Sequence, residues 1–379
     1  MKRRPSSVGR SKGAPRAAGR GAPEPPPAAL GFRMPAEWEP HAATWIAWPH
    51  EARDWPGKLA AIDWVYGEVV RQLAVGERVR ILVATAAVAK RAREVLRRVG
   101  VDRKRVQLFP APTDRSWTRD YCPIYVTNPD GEVAVTNWRF TGWAKYANHK
   151  RDDAVNDRIV RRDRRRQWRP TAPIGRRIAR VVLEGGAIDV NGSGTLLATE
   201  ECLLDKVQAR NPGLGREALE TILGAYLGVR KVLWLGRGIA GDDTHGHVDD
   251  LARFVDETTV VVAQESDPDD DNYAPLRENR ARLERMTTAD GRPLRVLSLP
   301  MPAPLFLDGI RLPASYANFY IGNEAVIVPT FNDRNDRAAL EMLAALFPTR
   351  RVVGIHAVDL VWGFGTLHCM TQQEPAEPA

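Results

Sequence analysis

Short apolar stretches alternate with segments of helical periodicity along most of the chain. Residues 79–84 predict a strand. A helix is expected after it over 86–99, where Val88, Val95, Leu96 and Val99 share a face and Thr85 stands at the N-cap. Residues 122–126 and 132–138 predict two strands joined through the turn sequence Asn128-Pro129-Asp130-Gly131. Further short strands are expected at 180–183, 187–190, 195–198, 231–235, 251–255, 259–263, 294–297 and 325–329. A helix is expected over 335–347, with Leu340, Leu343, Ala344 and Phe347 on one stripe and Pro348 closing it. The fold class is α/β with many short strands. No glycine-rich phosphate loop joins a strand to a helix, which disfavours a nucleotide-binding sheet.

Residues 1–33 break the pattern. They are rich in Gly, Ala, Pro, Arg and Ser, with Pro25-Pro26-Pro27 near their end, and such a composition cannot bury enough apolar surface to offset its ordering entropy. A disordered basic tail is therefore expected over 1–33, a folded domain over 34–373 and a frayed end over 374–379. The tail holds eight Lys/Arg and one Glu, so it carries nearly all of the net charge of +8. The body is close to neutral and offers no broad phosphate-binding surface, so no nucleic acid is expected on the folded domain. A basic nucleic-acid-binding module is an alternative confined to the tail. No apolar run reaches the ~18–20 residues that cross a bilayer, and no apolar centre follows Lys2-Arg3-Arg4 to make a secretory signal. Three cysteines exclude a disulfide scaffold and fit the cytoplasm.

The reactive side chains are spaced with some regularity. Asp120, Glu184, His247 and Cys369 each lie near a predicted strand end or a glycine-bearing loop, at separations of 64, 63 and 122 residues. A repeating unit of that size, each presenting a loop to a common centre, would account for the first two intervals and for the doubled third; coincidence is the alternative. Cys369 follows the flexible Trp362-Gly363-Phe364-Gly365 stretch among polar neighbours, as a working thiol requires, whereas Cys202 and Cys122 sit in packing contexts. The run Gly241-Asp242-Asp243-Thr244-His245-Gly246-His247-Val248-Asp249-Asp250 admits a zinc-hydrolase reading through His245, His247 and Asp249. The histidines that such a site still needs are too few downstream, so no metal and no cofactor is expected. The other reading is a general acid–base His247 with a carboxylate two residues on. Glu184 ends an apolar run ahead of Gly185-Gly186, and Trp117 and Asp120 precede a strand. Each feature alone is commonly structural. Together the carboxylates, His247, Cys369 and Trp117 suit a planar cation, which carboxylates grip through its N–H fork while an aromatic face stacks on it.

Two other charged stretches carry less. Asp267, Asp269, Asp271 and Glu278 follow part of a calcium-loop spacing, but Asn272 replaces the required glycine. The arginine-rich 161–169 run is interleaved with acids and reads as an exposed surface.

An ordered set of strings resembles the agmatine deiminases and the related bacterial peptidylarginine deiminases. They are Met34-Pro35-Ala36-Glu37-Trp38 with Trp45 and Trp48-Pro49, then Trp117-x-Arg119-Asp120 and Glu184-Gly185-Gly186-x-Ile188-Asp189. Gly246-His247-Val248-Asp249, Tyr316-Ala317-Asn318-Phe319-Tyr320 and Leu367-His368-Cys369-x-Thr371-Gln372-Gln373 complete the set. The resemblance implies a five-bladed pseudosymmetric α/β propeller of ββαβ units, the pentein fold, with the active site at its centre. It implies that Cys369 is the nucleophile, His247 the acid–base and Glu184 a substrate-orienting carboxylate. Asp120 and Asp249 would grip the guanidinium and Trp117 would line the pocket. The implied substrate is agmatine, with peptidyl or free arginine as the alternative; a homo-oligomer is left open. Departures stand at Tyr121-Cys122, His245, Phe364 and Thr366, which are expected on pocket walls.

Overall fold

Five small sheets repeat one connection in the computed structural model, which describes residues 24–174 and 177–377. In each sheet a first strand runs antiparallel to a middle strand, and a helix then leads to a third strand parallel to the middle one. Three sheets follow the pattern as Ile124–Thr127/Val133–Thr136/Gln167–Trp168, Asp189–Val190/Thr195–Thr199/Lys231–Leu235 and Ala252–Phe254/Thr259–Gln264/Arg295–Pro300. The fourth is Tyr320–Ile321/Ala325–Thr330/Arg351–His356. The last uses both ends of the chain. Gln372–Pro375 pairs antiparallel with His41–Ala47, which pairs in parallel with Arg78–Val83, and Val106–Pro110 adds an outer strand. The crossover helices are Val155–Asp163, Arg216–Leu227, Tyr273–Leu283, Asp336–Leu346 and Leu59–Leu73. These are five ββαβ units closed into a ring by the C-terminal strand, the α/β propeller.

Local sequence explains the pattern. The middle strands are continuous apolar runs, such as Val260-Val261-Val262-Ala263 and Ala325-Val326-Ile327-Val328, and these residues are all buried, as expected of strands covered on both faces. The helix Ala86–Arg98 starts where expected, with Thr85 Oγ1 accepting from the Val88 N–H, and it buries Val88, Ala92, Val95 and Leu96. The strand expected at 122–126 begins only at Ile124, because Thr118–Tyr121 forms a helical turn just before it. At 180–183 the strand is Arg177–Arg180, hairpinned with Thr171–Ile174, and residues 181–183 run on into the centre of the ring. The helix Tyr273–Leu283 begins directly after Asn272 and buries only Leu276, Asn279 and Leu283 under a charged outer face.

Both expected domain edges need correction. Residues 1–23 and 378–379 lie outside the described residues, but 24–33 are packed rather than tail. Pro27–Leu30 forms a 3-10 turn, Phe32 is buried edge-on against Trp168 with ring centroids 5.2 Å apart, and Arg33 bridges Thr127. At the other end Glu374 is not frayed. It lies fully buried in the closing strand, accepts from Trp45 Nε1 at 2.9 Å and pairs with Arg80 and Arg165. Three of the six arginines in the 161–169 run are paired within the chain, Arg165 on Glu374, Arg166 on Glu24 and Arg169 on Asp157. Among the described residues no helix is long and apolar enough to cross a membrane.

Candidate active site

Each blade's first strand is approached by a short turn, and the turns meet at the centre of the ring. Asp120 lies in the Thr118–Tyr121 turn, Glu184 precedes the 3-10 turn Gly185–Ala187, and His247 and Asp249 belong to the segment around Val248–Asp250. Cys369 precedes the closing strand. The first turn packs on the second and the second on the third. The doubled interval between His247 and Cys369 is filled by Asn318, which precedes the remaining blade's first strand Tyr320–Ile321. Its Nδ2 donates to Cys369 Sγ at 3.1 Å, and its Oδ1 accepts from the His368 N–H and from Thr366 Oγ1. All five blades thus contribute one side chain at the same structural place.

The groups are close and buried. His247 Nδ1 is 3.8 Å from Asp120 and 3.9 Å from Asp249, its Nε2 is 3.7 Å from Glu184, and neither ring nitrogen has a hydrogen-bond partner among the described residues. Cys369 Sγ lies 3.7 Å from Asp249 Oδ2. Burial alone would lower His247, but Asp120, Cys202 and Glu184 hold it well above the usual histidine range. Burial, with Asp249, Asp250 and Asp120 adding to it, pushes the Cys369 thiol well up. Asp120 is raised by burial to about 6, although His247 and a bond from Trp143 Nε1 at 2.8 Å draw it down. Glu184 is held below its ordinary value against burial by Arg210, whose Nε reaches both carboxylate oxygens. Asp249 is held down by His368, whose Nδ1 lies 2.6 Å from Oδ2. The site therefore pairs a charged imidazole with a neutral thiol.

A cavity of about 320 Å³ opens onto Asp120 and Cys369 and is lined also by Trp117, Trp143, Tyr146 and Phe364. A larger one of about 990 Å³, around Phe32, Pro129 and Pro375, contains none of the reactive groups. A carboxylate at each edge, an aromatic wall and a thiol beside them can hold a flat cation with its carbon exposed to sulfur.

The chain is similar to known proteins. The family model of the Porphyromonas-type peptidyl-arginine deiminases matches residues 33–375. The chain belongs to this family. Agmatine deiminase of Stutzerimonas stutzeri is 35% identical over 369 residues, covering 91% of this chain and 96% of its own. Agmatine deiminase of Enterococcus faecalis superposes with a TM-score of 0.85 at 33% identity, over 94% of this chain and 99% of its own. An amidinotransferase from Microseira wollei, with a TM-score of 0.51 at 11% identity, shares the fold alone.

Within this deiminase all six residues singled out in the sequence, Trp117, Asp120, Glu184, His247, Asp249 and Cys369, come together. The family strings also build a layer beneath them. Glu37 receives Arg119, Arg253 and the Ile321 N–H and faces His368 Nε2 at 2.8 Å, while Arg253 also reaches Asp189. Asn318, Arg210 and Trp143 are site residues that single-position reasoning missed. Asn318 had a signal in the unfilled interval, and Arg253 in being a charge inside the apolar 251–255 run. Cys202 packs in an apolar cluster as expected, yet its sulfur also comes within 4.8 Å of Glu184 and His247 donor atoms. A cation there would be opposed by the Arg210 guanidinium already on Glu184, and His245 turns away to Asp205 at 3.4 Å, so the zinc pattern does not assemble. Of the departures, Phe364 lines the pocket and Thr366 holds Asn318, whereas Tyr121 and Cys122 are core residues rather than pocket walls.

Gly186 separates the reacting groups. A Cβ there would stand 2.5 Å from His247 Nδ1 and 3.0 Å from Asp120 Oδ1. Gly186→Ala is expected to lower kcat/KM by about 100-fold, the order expected when catalytic groups shift by ~1 Å. Unchanged steady-state kinetics of that variant would contradict the geometry.

Proposed function

We propose that the protein hydrolyses agmatine to N-carbamoylputrescine and ammonia without a metal. The observation that carries the reading is that Cys369, Asp120 and Trp117 line one small pocket while His247 lies within 4 Å of Asp120, Asp249 and Glu184, and Asp249 lies 3.7 Å from Cys369 Sγ. The names of its relatives support the same reaction.

In the proposed reaction Asp120 and Asp249 grip the guanidinium, and Glu184, fixed by Arg210, orients it beside His247. The incoming cation lowers the Cys369 pKa, so the thiol gives up its proton to solvent water, and the resulting thiolate adds to the guanidinium carbon, with the Asn318 Nδ2–H steadying the sulfur. The His247 imidazolium then protonates the departing nitrogen, the C–N bond breaks and ammonia leaves an amidino-thioether on Cys369. Neutral His247 takes a proton from water, and the resulting hydroxide adds to the same carbon. Collapse breaks the C–S bond and releases the ureido product, while the hydroxyl proton leaves through solvent and the thiolate is reprotonated to the thiol. One water is consumed and one ammonia formed.

A pocket of about 320 Å³ fits a small linear guanidine. The three free thiols suit a cytoplasmic setting, where a polyamine precursor would be met. Ammonia release measured against agmatine, free arginine and a peptidyl-arginine substrate tests the proposal. Turnover is expected with agmatine, unaffected by EDTA. Preference for a peptide, or ammonia from none of the three, overturns it.

A further inference from the structure

One carboxylate of the pocket is left over by this chemistry. Three line it, namely Asp54, Asp120 and Asp243. Asp120 is engaged by Gly186 N–H and Trp143 Nε1 at the reacting end. Asp243 has one oxygen on the Lys145 ammonium and the other on the Tyr146 hydroxyl at 2.6 Å. Asp54 differs. Its Oδ1 accepts from Arg115 Nη1, but its Oδ2 is buried and has no hydrogen-bond partner among the described residues.

Arg115 cannot rotate to cover that second oxygen without giving up other contacts. Its guanidinium lies 4.2 Å over the Tyr146 ring, and the side chain is itself largely buried. Arg115 therefore fixes Asp54 by one oxygen and leaves the other unpaired, on a residue that lines the pocket holding Cys369. An unmatched buried carboxylate oxygen is costly unless a donor reaches it. Burial raises Asp54 to about 7, with Asp243 adding to the effect and Arg115 opposing it, so a cation arriving at Oδ2 would find a group that gains charge on contact.

We propose that Asp54 Oδ2 receives the distal ammonium of an ω-guanidino amine, making Asp54 the residue that selects an aminated substrate over an alkylguanidine of the same length. This rests on the deiminase reading. The guanidinium and the ammonium are then held by different carboxylates, Asp120 with Asp249 at one end and Asp54 at the other. Arg115 is a positioning residue that keeps Asp54 oriented.

The test compares agmatine with 1-butylguanidine, which has the same four-carbon chain and guanidinium but no amine. The wild-type protein is expected to prefer agmatine by about 100-fold in kcat/KM, the order of one charge-assisted hydrogen bond. Asp54→Asn keeps the shape and the Arg115 contact, and it should shrink that preference by at least about 10-fold, mainly through a higher KM for agmatine. Equal efficiency of the wild type on both substrates overturns the assignment, and this comparison decides even if the variant does not fold. Asp54→Asn slowing both substrates by the same factor, or neither, also overturns it, because a structural role would leave the ratio unmoved. Turnover of neither substrate by the wild type overturns the deiminase reading, and the assignment with it.

Discussion

Replacing Cys369 with alanine is expected to reduce ammonia release from agmatine by about 10⁴-fold or more, the scale on which loss of a nucleophile acts in enzymes that form covalent intermediates. The loss should fall on kcat. The carboxylates that hold the guanidinium come from other blades, so binding of agmatine to the variant should persist and be measurable by calorimetry. The protonation state of the site adds a second readout. Burial and three neighbouring aspartates keep the Cys369 thiol protonated at neutral pH, so a neutral alkylating reagent such as iodoacetamide should react slowly at pH 7. The thiolate fraction, and with it the alkylation rate at Cys369, must rise as pH is raised towards the elevated pKa. Residual turnover near the wild-type level in Cys369→Ala would remove the covalent mechanism altogether.

The parts of this centre that could be read from the chain were those with a local chemical signature. Cys369 stood out because its neighbours are polar and glycine-bearing, and His247 because acids crowd around it. The even spacing of Asp120, Glu184 and His247 reflects the repeat of ββαβ units, and the doubled interval after them marks the blade whose central residue is Asn318. An amide carries no charge and has no pKa to attract notice, so only its distance from Cys369 shows what it does. Glu37 and Arg253 were hidden for another reason. They are 216 residues apart and meet at 2.9 Å, a long-range pairing to which no window of periodicity is sensitive. The short strand 320–321 went unread for the same reason, and the strand expected at 187–190 is cut to 189–190, since the length of such strands is set by neighbouring blades and not by their own propensity. The N-terminal edge misled because a proline-rich composition argues against a self-supporting core but not against docking. Phe32 is buried by Trp168 of another segment, which the composition of residues 24–33 cannot reveal.

Asp120 sets the expected acid limit of activity. Among the carboxylates proposed to meet the guanidinium, Glu184 and Asp249 are held low by Arg210 and His368, so they stay ionised well into acid. Asp120 is raised to about 6 because burial outweighs the charge of His247. The sign follows directly. Above that value Asp120 is a carboxylate and grips the cation; below it the neutral acid no longer offsets the guanidinium charge. The kcat/KM for agmatine is therefore expected to fall about tenfold per pH unit below pH 6, in the manner of a single titrating group of the free enzyme. Asp120→Asn, which removes the charge at every pH, should cost on the order of 10³-fold at pH 8 and flatten this limb. Trp143 supplies an independent check. Its indole N–H donates to Asp120 Oδ2 and lowers that group's pKa, so Trp143→Phe should move the acid limb to higher pH while leaving its slope unchanged. A pH–rate profile that is level from pH 7 to pH 5, or a limb that does not move in Trp143→Phe, would take Asp120 out of substrate binding and leave the cation to Asp249 and Glu184 alone.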